Sequence, residues 1–423
     1  MNETVVAATN AAAEHRPRWR RMGRAEFRAY VGLLVLAGVF RSRGEACESL
    51  WCAETGRRVF RETMPLGQFR VYSAALRFDD RETRDARRAA GDRLTPIGEL
   101  WRAWTERLPL AYRPGDSVTV DERLVPFRGR CGFRQYMPCK PARYGLKLWV
   151  ACDSRSSYAW RMQAYVGKRD KTAPPERDLT LRVVLDLTEG VPAGTLVTMD
   201  NFFTSPRLAT RLAAERGLHL LGTLRANRAR GLPRALLESA REPRSCRFAF
   251  TRDACAVSYV PKWGMNVLLL TSEPSLLRLP DDEEDTQRPD GKPPALLRYN
   301  ATKGGVDNLD KVTAAYSVRR KTARWPVREL HPDWLRGKRD RRRRFLEQLG
   351  LELTRDLAAT VAADEPPPPP PPLCLALTTR KRCSVCPRAK DVKTRAACGR
   401  CAAPLCLGCA ALLCPSCLHG ARR

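Results

Sequence analysis

A set of aspartates and a set of paired cysteines are the residues here whose types and spacing can do chemistry. Asp121 lies inside a β-branched run, Ser117-Val118-Thr119-Val120-Asp121-Glu122-Arg123-Leu124-Val125. Asp200 ends a second apolar run and leads into Asn201-Phe202-Phe203-Thr204-Ser205. Asp307 opens a helical stretch, and Asp310 comes after it at a spacing that shares its helix face. One carboxylate in a strand, one at a strand end and one on a helix can converge at one edge of a sheet. Such groups repel, and they stay ionised together only when cations bind them. Hard oxygen ligands with open water positions favour Mg²⁺. Two such ions about 4 Å apart would activate a water or a 3′-OH at a phosphodiester and stabilise the leaving oxygen. Taken alone, the pattern equally suits aspartates that end strands and cap helices.

The cysteines are more specific. Cys383/Cys386, Cys398/Cys401, Cys406/Cys409 and Cys414/Cys417 form consecutive CxxC pairs. Each pair offers two thiolates, and two pairs complete one tetrahedral Zn²⁺. The short intervals favour a cross-brace with two zinc ions. Pairs one and three would hold one ion, and pairs two and four the other. Cys374 and His419 are left over. So small a segment folds only with its metal. A RING-type interaction module has overlapping spacing, but the usual central histidine ligand is missing.

Composition bounds the rest. The chain has 423 residues, with 76 Lys+Arg against 46 Asp+Glu, a net charge of +30. That excess points to a polyanionic partner, most often nucleic acid. Arginine far outnumbers lysine, 63 to 13, so part of the bias can come from codon composition. An apolar content of 43% is too high for a disordered chain. The longest apolar run, Tyr30 to Phe40, is far short of the roughly 18 residues a membrane span needs. Met1-Asn2-Glu3-Thr4 has an acid and no apolar stretch, so no secretory signal is expected.

The elements that must position these groups can be read from periodicity. Residues 1–24 are polar and basic and read as a frayed end. Helices are expected from Glu26 to Phe40 and onward through Trp51, Phe60, Leu76, Trp101 and Trp104, with almost no strand in the first third. Strands are expected at 117–125, 145–152 and 158–165, then helix 179–187, strand 195–199, helix 206–215 and strand 218–224. That order predicts an α/β fold, a mixed sheet flanked by helices. Residues 225–302 hold strands at 256–259 and 267–270 and an acidic loop, and read as an insertion with its own small structure. A helix runs from Gly305 to about Val318, and 331–363 is charged and helical. The run Pro366–Pro372 is a stiff spacer before the cysteines.

Several words resemble the piggyBac family of DDE/D transposases. They are Val120-Asp121-Glu122-Arg123-Leu124-Val125-Pro126-Phe127-Arg128-Gly129-Arg130, the stretch Arg134 to Gly145, Asp200-Asn201-Phe202-Phe203-Thr204-Ser205, Lys303 to Lys311 and Tyr316 to Pro326. They occur in the family's order from about Leu36 to the C-terminus. The resemblance implies an RNase H-like catalytic domain split by an insertion. Asp121, Asp200 and Asp307 would be its Mg²⁺-binding triad, with Asp310 as an acidic helper. The implied domains are a helical dimerisation and DNA-binding region at 1–112, the catalytic domain at 113–224 and 303–330, and the insertion at 225–302. A basic helix and proline linker come next at 331–373, then a zinc module at 374–423 that binds transposon-end DNA. The implied activity is cut-and-paste transposition: nicking, hairpin formation and insertion at TTAA. The implied setting is a nuclear homodimer on double-stranded DNA. A non-catalytic, domesticated DNA-binding protein is the alternative.

Two departures bear on activity. After its Arg-Trp-Pro word the family has an apolar helix packed beside the catalytic helix. Here Arg324-Trp325-Pro326-Val327-Arg328 runs directly into Glu329-Leu330-His331-Pro332-Asp333-Trp334, a word that resembles the family's segment on the far side of that helix. A core helix of roughly 20 residues is therefore expected to be missing. Residues 336–344, a candidate nuclear-import or phosphate-contact word, are too charged to refill the gap. The family's acidic leader and first DNA-binding segments are also expected to be mostly absent. A gene-model error would read the same way as a deletion.

Overall fold

A computed structural model describes residues 2–17, 19–167, 174, 176–229, 231–277, 290–318, 341–364, 374–398 and 402–406. The chain divides into two compact units, Met1–Leu357 and Ala358–Arg423.

The first unit opens with helices. They are α1 (Asn2–Ala13), α2 (Arg24–Val39), α3 (Cys47–Trp51), α4 (Arg58–Thr63), α5 (Leu66–Ala75), α6 (Arg84–Ala89), α7 (Gly98–Thr105) and α8 (Leu108–Ala111). The expected frayed end is instead a helix, because Val5, Thr9 and Ala13 fall on one face and are buried. Asn10 ties it down: its amide donates to the Met22 carbonyl and its carbonyl accepts the Met22 N–H, both at 2.8 Å. Leu33, Leu36, Phe60, Phe69 and Tyr72 form the centre of this helical core.

The sheet comes next, with β1 (Ser117–Pro126), β2 (Gln135–Tyr136), β3 (Tyr144–Asp153), β4 (Ala159–Ala164), β5 (Leu196–Met199) and β6 (His219–Thr223). Then come β7 (Cys246–Phe250), β8 (Cys255–Tyr259) and β9 (Val267–Thr271). The order is β2-β3-β1-β5-β6-β9-β8-β7, with β4 also on β3. β1 is antiparallel to β3 and parallel to β5, and β5 is parallel to β6. Helices α9 (Leu179–Leu187) and α10 (Pro206–Arg216) make the crossovers. Ser205 caps α10 through its hydroxyl, which accepts the Leu208 N–H at 3.2 Å. Val118 and Val120 pack with α9 and α10 residues on one face. The other face of the sheet, with Val125, Leu148 and Val150, shares a core with the N-terminal helices.

Among the described residues, the strands of 225–302 are not set apart from the main sheet. They extend it, because β9 pairs antiparallel with β6 and so covers an edge that would otherwise present unpaired backbone groups. Strand β7 was not legible in the sequence, and α11 (Arg234–Leu237) precedes it. Helices α12 (Pro294–Thr302) and α13 (Gly305–Ala315) return the chain to the sheet.

The junction from Arg324 to Trp334 and residues 336–340 of the basic word lie outside the described residues. After them comes α14 (Arg341–Asp364), whose stretch from Leu346 to Thr354 lies on α2. Leu346 joins Val35 and Val39 in an apolar cluster with Tyr316 and Val318, just past α13. Residues beyond the charged word therefore supply apolar cover. The helices meet at paired glycines: a Cβ at Gly32 would lie 2.8 Å from the Gly350 carbonyl oxygen and 2.9 Å from Leu353 Cβ.

In the second unit β10 (Cys374–Arg382) pairs antiparallel with β11 (Lys393–Cys398).

Replacing Gly32 by Val should overpack this crossing and lower stability by about 1–3 kcal/mol, read from urea midpoints. Gly67→Ala, where a Cβ meets nothing within 4 Å, is the neutral comparison. Equal midpoints for the two variants would mean that α14 does not dock on α2.

Candidate functional site

The parallel register of β1 and β5 builds the site. Val120 is opposite Met199, so Asp121 and Asp200 are the next residues on neighbouring strands, which run about 4.8 Å apart. Asp200 is held by a tight turn. Its Oδ1 accepts the Phe202 N–H at 2.9 Å, and its carbonyl accepts the Thr204 hydroxyl at 2.8 Å. Asp121 Oδ1 accepts the N–H of Glu122 at 2.7 Å.

Burial pushes the Asp121 carboxyl up to about 7, and the Asp200 and Glu122 charges push the same way against Lys140 and the Glu122 N–H. Asp200 is raised by burial and by Glu122, against the Phe202 N–H and Arg225. Two neighbouring carboxylates that resist ionisation, with only oxygen donors, suit a hard divalent cation.

Helix α13 crosses the same strand. The Thr119 hydroxyl donates to the Thr302 carbonyl at 2.6 Å. Arg123, buried, donates to the Thr313 hydroxyl at 2.6 Å, and its Nε lies 2.7 Å from Asp310 Oδ1. Gly305, Val306, Leu309 and Thr313 are the buried side of α13. Asp310 flanks that side and is half-buried in its ion pair, while Asp307 is exposed in the first turn. The structure thus brings Asp121 and Asp200 together, ties Asp310 to Arg123, and leaves Asp307 at the helix surface.

Sequence reasoning missed the cations around the carboxylates. Arg123 shares the Asp121 face by strand alternation, and that spacing could have revealed it. Lys140 Nζ donates to the Glu122 carbonyl at 3.0 Å, and Lys147 Nζ lies 3.6 Å from Glu122 Oε2. Lys147 also sits 5.0 Å from the Phe202 ring centre, bridging β3 to the Asp200 turn. Arg225 Nε donates to Asn201 Oδ1 at 2.8 Å.

The β1–β3 arm continues from Asp121 to Pro126, roughly 17 Å of extended chain. Beyond it Arg128, Arg134, Arg143 and Tyr144 line an open groove of about 550 Å³. Arg134 stacks over the Tyr144 ring at 5.3 Å, and Tyr136 lies against Tyr144.

In the second unit the ligand atoms of Cys383, Cys386 and Cys406 all lie within 4.8 Å of one another. Cys386 and Cys406 Sγ are 3.5 Å apart, close to the ~3.8 Å edge of a tetrahedral zinc–thiolate site. Burial opposes ionisation of Cys383, but N–H groups of Cys406, Val385 and Cys386 bring its thiol down to about 6. This donor set fits Zn²⁺, and it joins the first and third CxxC pairs. The Cys398 side chain and Cys401, Cys409, Cys414 and Cys417 lie outside the described residues.

The fold thus sets paired acids at the ends of adjacent parallel strands of a mixed sheet, with α13 packed against β1. A family model described as transposase IS4 matches residues 1–331, and the chain belongs to that family, in its piggyBac-type form. Human PiggyBac transposable element-derived protein 3 is 24% identical over 320 residues, covering 71% of this chain and 51% of that protein. Human PiggyBac transposable element-derived protein 2 is 22% identical over 322 residues, covering 71% of this chain and 52% of that protein. The chain spans about half the length of these relatives. The cryo-EM structure of a piggyBac transposase synaptic complex with hairpin DNA matches 98% of this chain and 94% of its own, at 28% identity and a TM-score of 0.76.

With metal chelated, the Asp121 contribution to stability should be complete below about pH 4 and lost as pH rises through about 7, because its folded pKa exceeds its unfolded one. Asp121→Asn removes that loss, so the variant should be the more stable protein at pH 8 and match the wild type near pH 4. Urea curves that keep one separation at both pH values would refute the half-buried, raised carboxyl.

The zinc geometry makes a second expectation. Cys383→Ser, Cys386→Ser and Cys406→Ser should each release the same zinc ion, and Cys398→Ser the other. Metal content of the single and double variants decides it. Sequential pairing would instead make Cys383→Ser and Cys398→Ser redundant.

Proposed function

We propose that this chain is a nuclear, DNA-binding protein of DDE/D transposase design that cleaves and joins DNA phosphodiesters at transposon ends and TTAA targets, acting as a homodimer. The observation that carries the reading is the half-buried Asp121–Asp200 pair on adjacent parallel strands. The antiparallel β1–β3–β4 meander leading into parallel β5 and β6 supports an RNase H-like catalytic domain. The match to a piggyBac synaptic complex with hairpin DNA supports DNA as the partner.

The chain's own groups have distinct tasks in this reading. Asp121 and Asp200 would hold Mg²⁺, with a further carboxylate from α13, Asp307 or Asp310. Bound there, Mg²⁺ supplies Lewis-acid activation of an attacking oxygen and stabilises the leaving one. Lys140, Lys147 and Arg225 keep the rim of the acidic pair positive toward a phosphate backbone. Arg128, Arg134 and Arg143 hold the duplex beyond the β1–β3 arm, with phosphate contacts that fix its position. The C-terminal cysteine module, with two zinc ions, adds a second DNA contact.

A DNA-binding protein without cleavage is the second reading. It is favoured by the pairing of Asp310 with Arg123 and by the surface position of Asp307.

A nicking assay on end-containing DNA with Mg²⁺ tests the first reading. Asp121→Asn and Asp200→Asn should each cut the rate at least about a hundredfold with DNA affinity kept. Charge reversal at Arg128, Arg134 and Arg143 should remove affinity. Comparing Asp307→Asn with Asp310→Asn identifies the third carboxylate. Wild-type protein that binds DNA but nicks none selects the second reading.

A further inference from the structure

An exposed tryptophan occupies the turn between β8 and β9. Trp263 is 69% exposed and Met265 is 46% exposed, in a chain whose other large apolar groups mostly lie in cores. An indole left in water is unusual, since tryptophan is among the most buried residue types on average.

The turn is rigidly held. Gly264 has φ +74, and its N–H donates to the Ser239 carbonyl at 3.1 Å. Asn266 donates to the Leu236 carbonyl at 2.7 Å and accepts the Ser258 hydroxyl at 2.8 Å. The buried Arg241 donates to that same hydroxyl at 2.6 Å. A flat apolar ring is thus presented on a preformed support, so little ordering entropy remains to oppose a contact.

Register places the turn. Met199 is opposite Gly222, Thr223 is opposite Leu269, and Val267 is opposite Tyr259. The β8–β9 turn therefore leaves the same edge of the sheet as Asp200. It lies two to three strands across, roughly 10–15 Å. The segment between them is cationic. Arg225 bonds Asn201, and Arg228 donates to the Phe202 carbonyl. Lys262 is exposed beside Trp263. A polyanion that engages the carboxylates would cross these cations and reach the indole. The flat apolar parts of such a polymer are its bases.

We propose that Trp263 is a base-stacking residue that takes an unpaired base of a DNA strand lying along this sheet edge. The inference rests on the DNA reading above and adds a contact outside the acidic pair. In paired duplex the bases are already stacked on one another, so the indole gains a partner only where a base is unpaired. Stacking contacts of this kind tolerate any base.

The test compares full-length wild type, Trp263→Ala and Trp263→Tyr on two DNAs of one sequence. One is fully paired, and the other is closed by a loop of unpaired bases. Trp263→Ala should weaken binding to the looped DNA about tenfold and leave the paired duplex within about twofold. Trp263→Tyr should keep most of the affinity. A 2-aminopurine in the loop should be quenched by wild type and by Trp263→Tyr and remain bright with Trp263→Ala. Equal losses on both DNAs, or no loss on the looped one, overturn the inference and leave the DNA reading standing. Wild type that binds neither DNA overturns both. Should Trp263→Ala melt early, the wild-type 2-aminopurine signal decides, and an unquenched loop refutes the contact.

Discussion

Everything in the candidate site depends on the parallel pairing of β1 with β5. That register sets two acids side by side at a place where burial resists their charge. A slip of one residue would turn Asp121 to the opposite face, among the apolar residues of α9 and α10. The fold guards against the slip with groups of opposite orientation, apolar on one face and hydrogen-bonding on the other. Val118 and Val120 are fully buried on one face, while Thr119 and Arg123 are bonded to α12 and α13 on the other. The register of β1 is therefore held by contacts of residues other than Asp121 and Asp200.

The same strand connects three layers of the molecule. Thr119 fixes the end of α12, and Arg123 fixes the middle of α13 and its Asp310. Breaking a buried ion pair by removing one partner is costly, so Arg123 gives α13 a defined seat over β1. That seat decides which acid of the helix is nearest the sheet. Asp310 lies on the flank of the buried side, and Asp307 faces outward.

Much of this was legible from periodicity. Alternation in 117–125 and 145–152 and the helical spacing of 179–187 match β1, β3 and α9 because each has one strongly apolar face. The acids at 121 and 200 stood out by position, but only the quoted words tied them to a particular chemistry. The features that escaped the sequence depend on distant partners. Nothing in Cys246–Phe250 announces a strand, since its side chains are only half-buried and its support comes from β8. Helix α1 is alanine-rich and short, and its Val5 and Thr9 matter only because other helices cover them. Arg123 and Lys147 look like surface cations until the strand pairing shows what they face.

The joining of β9 to β6 has a consequence for protein engineering. Residues 225–302 look in the sequence like a cassette that could be exchanged between relatives. In the folded chain they share a hydrogen-bonded ladder with the strand next to Asp200. A chimera would have to match the β6–β9 ladder as well as its two crossover points. A graft whose first strand pairs out of step would transmit the error through β6 to the Asp200 turn. The transplantable unit therefore begins at the inner edge of β6 rather than at the loop after it.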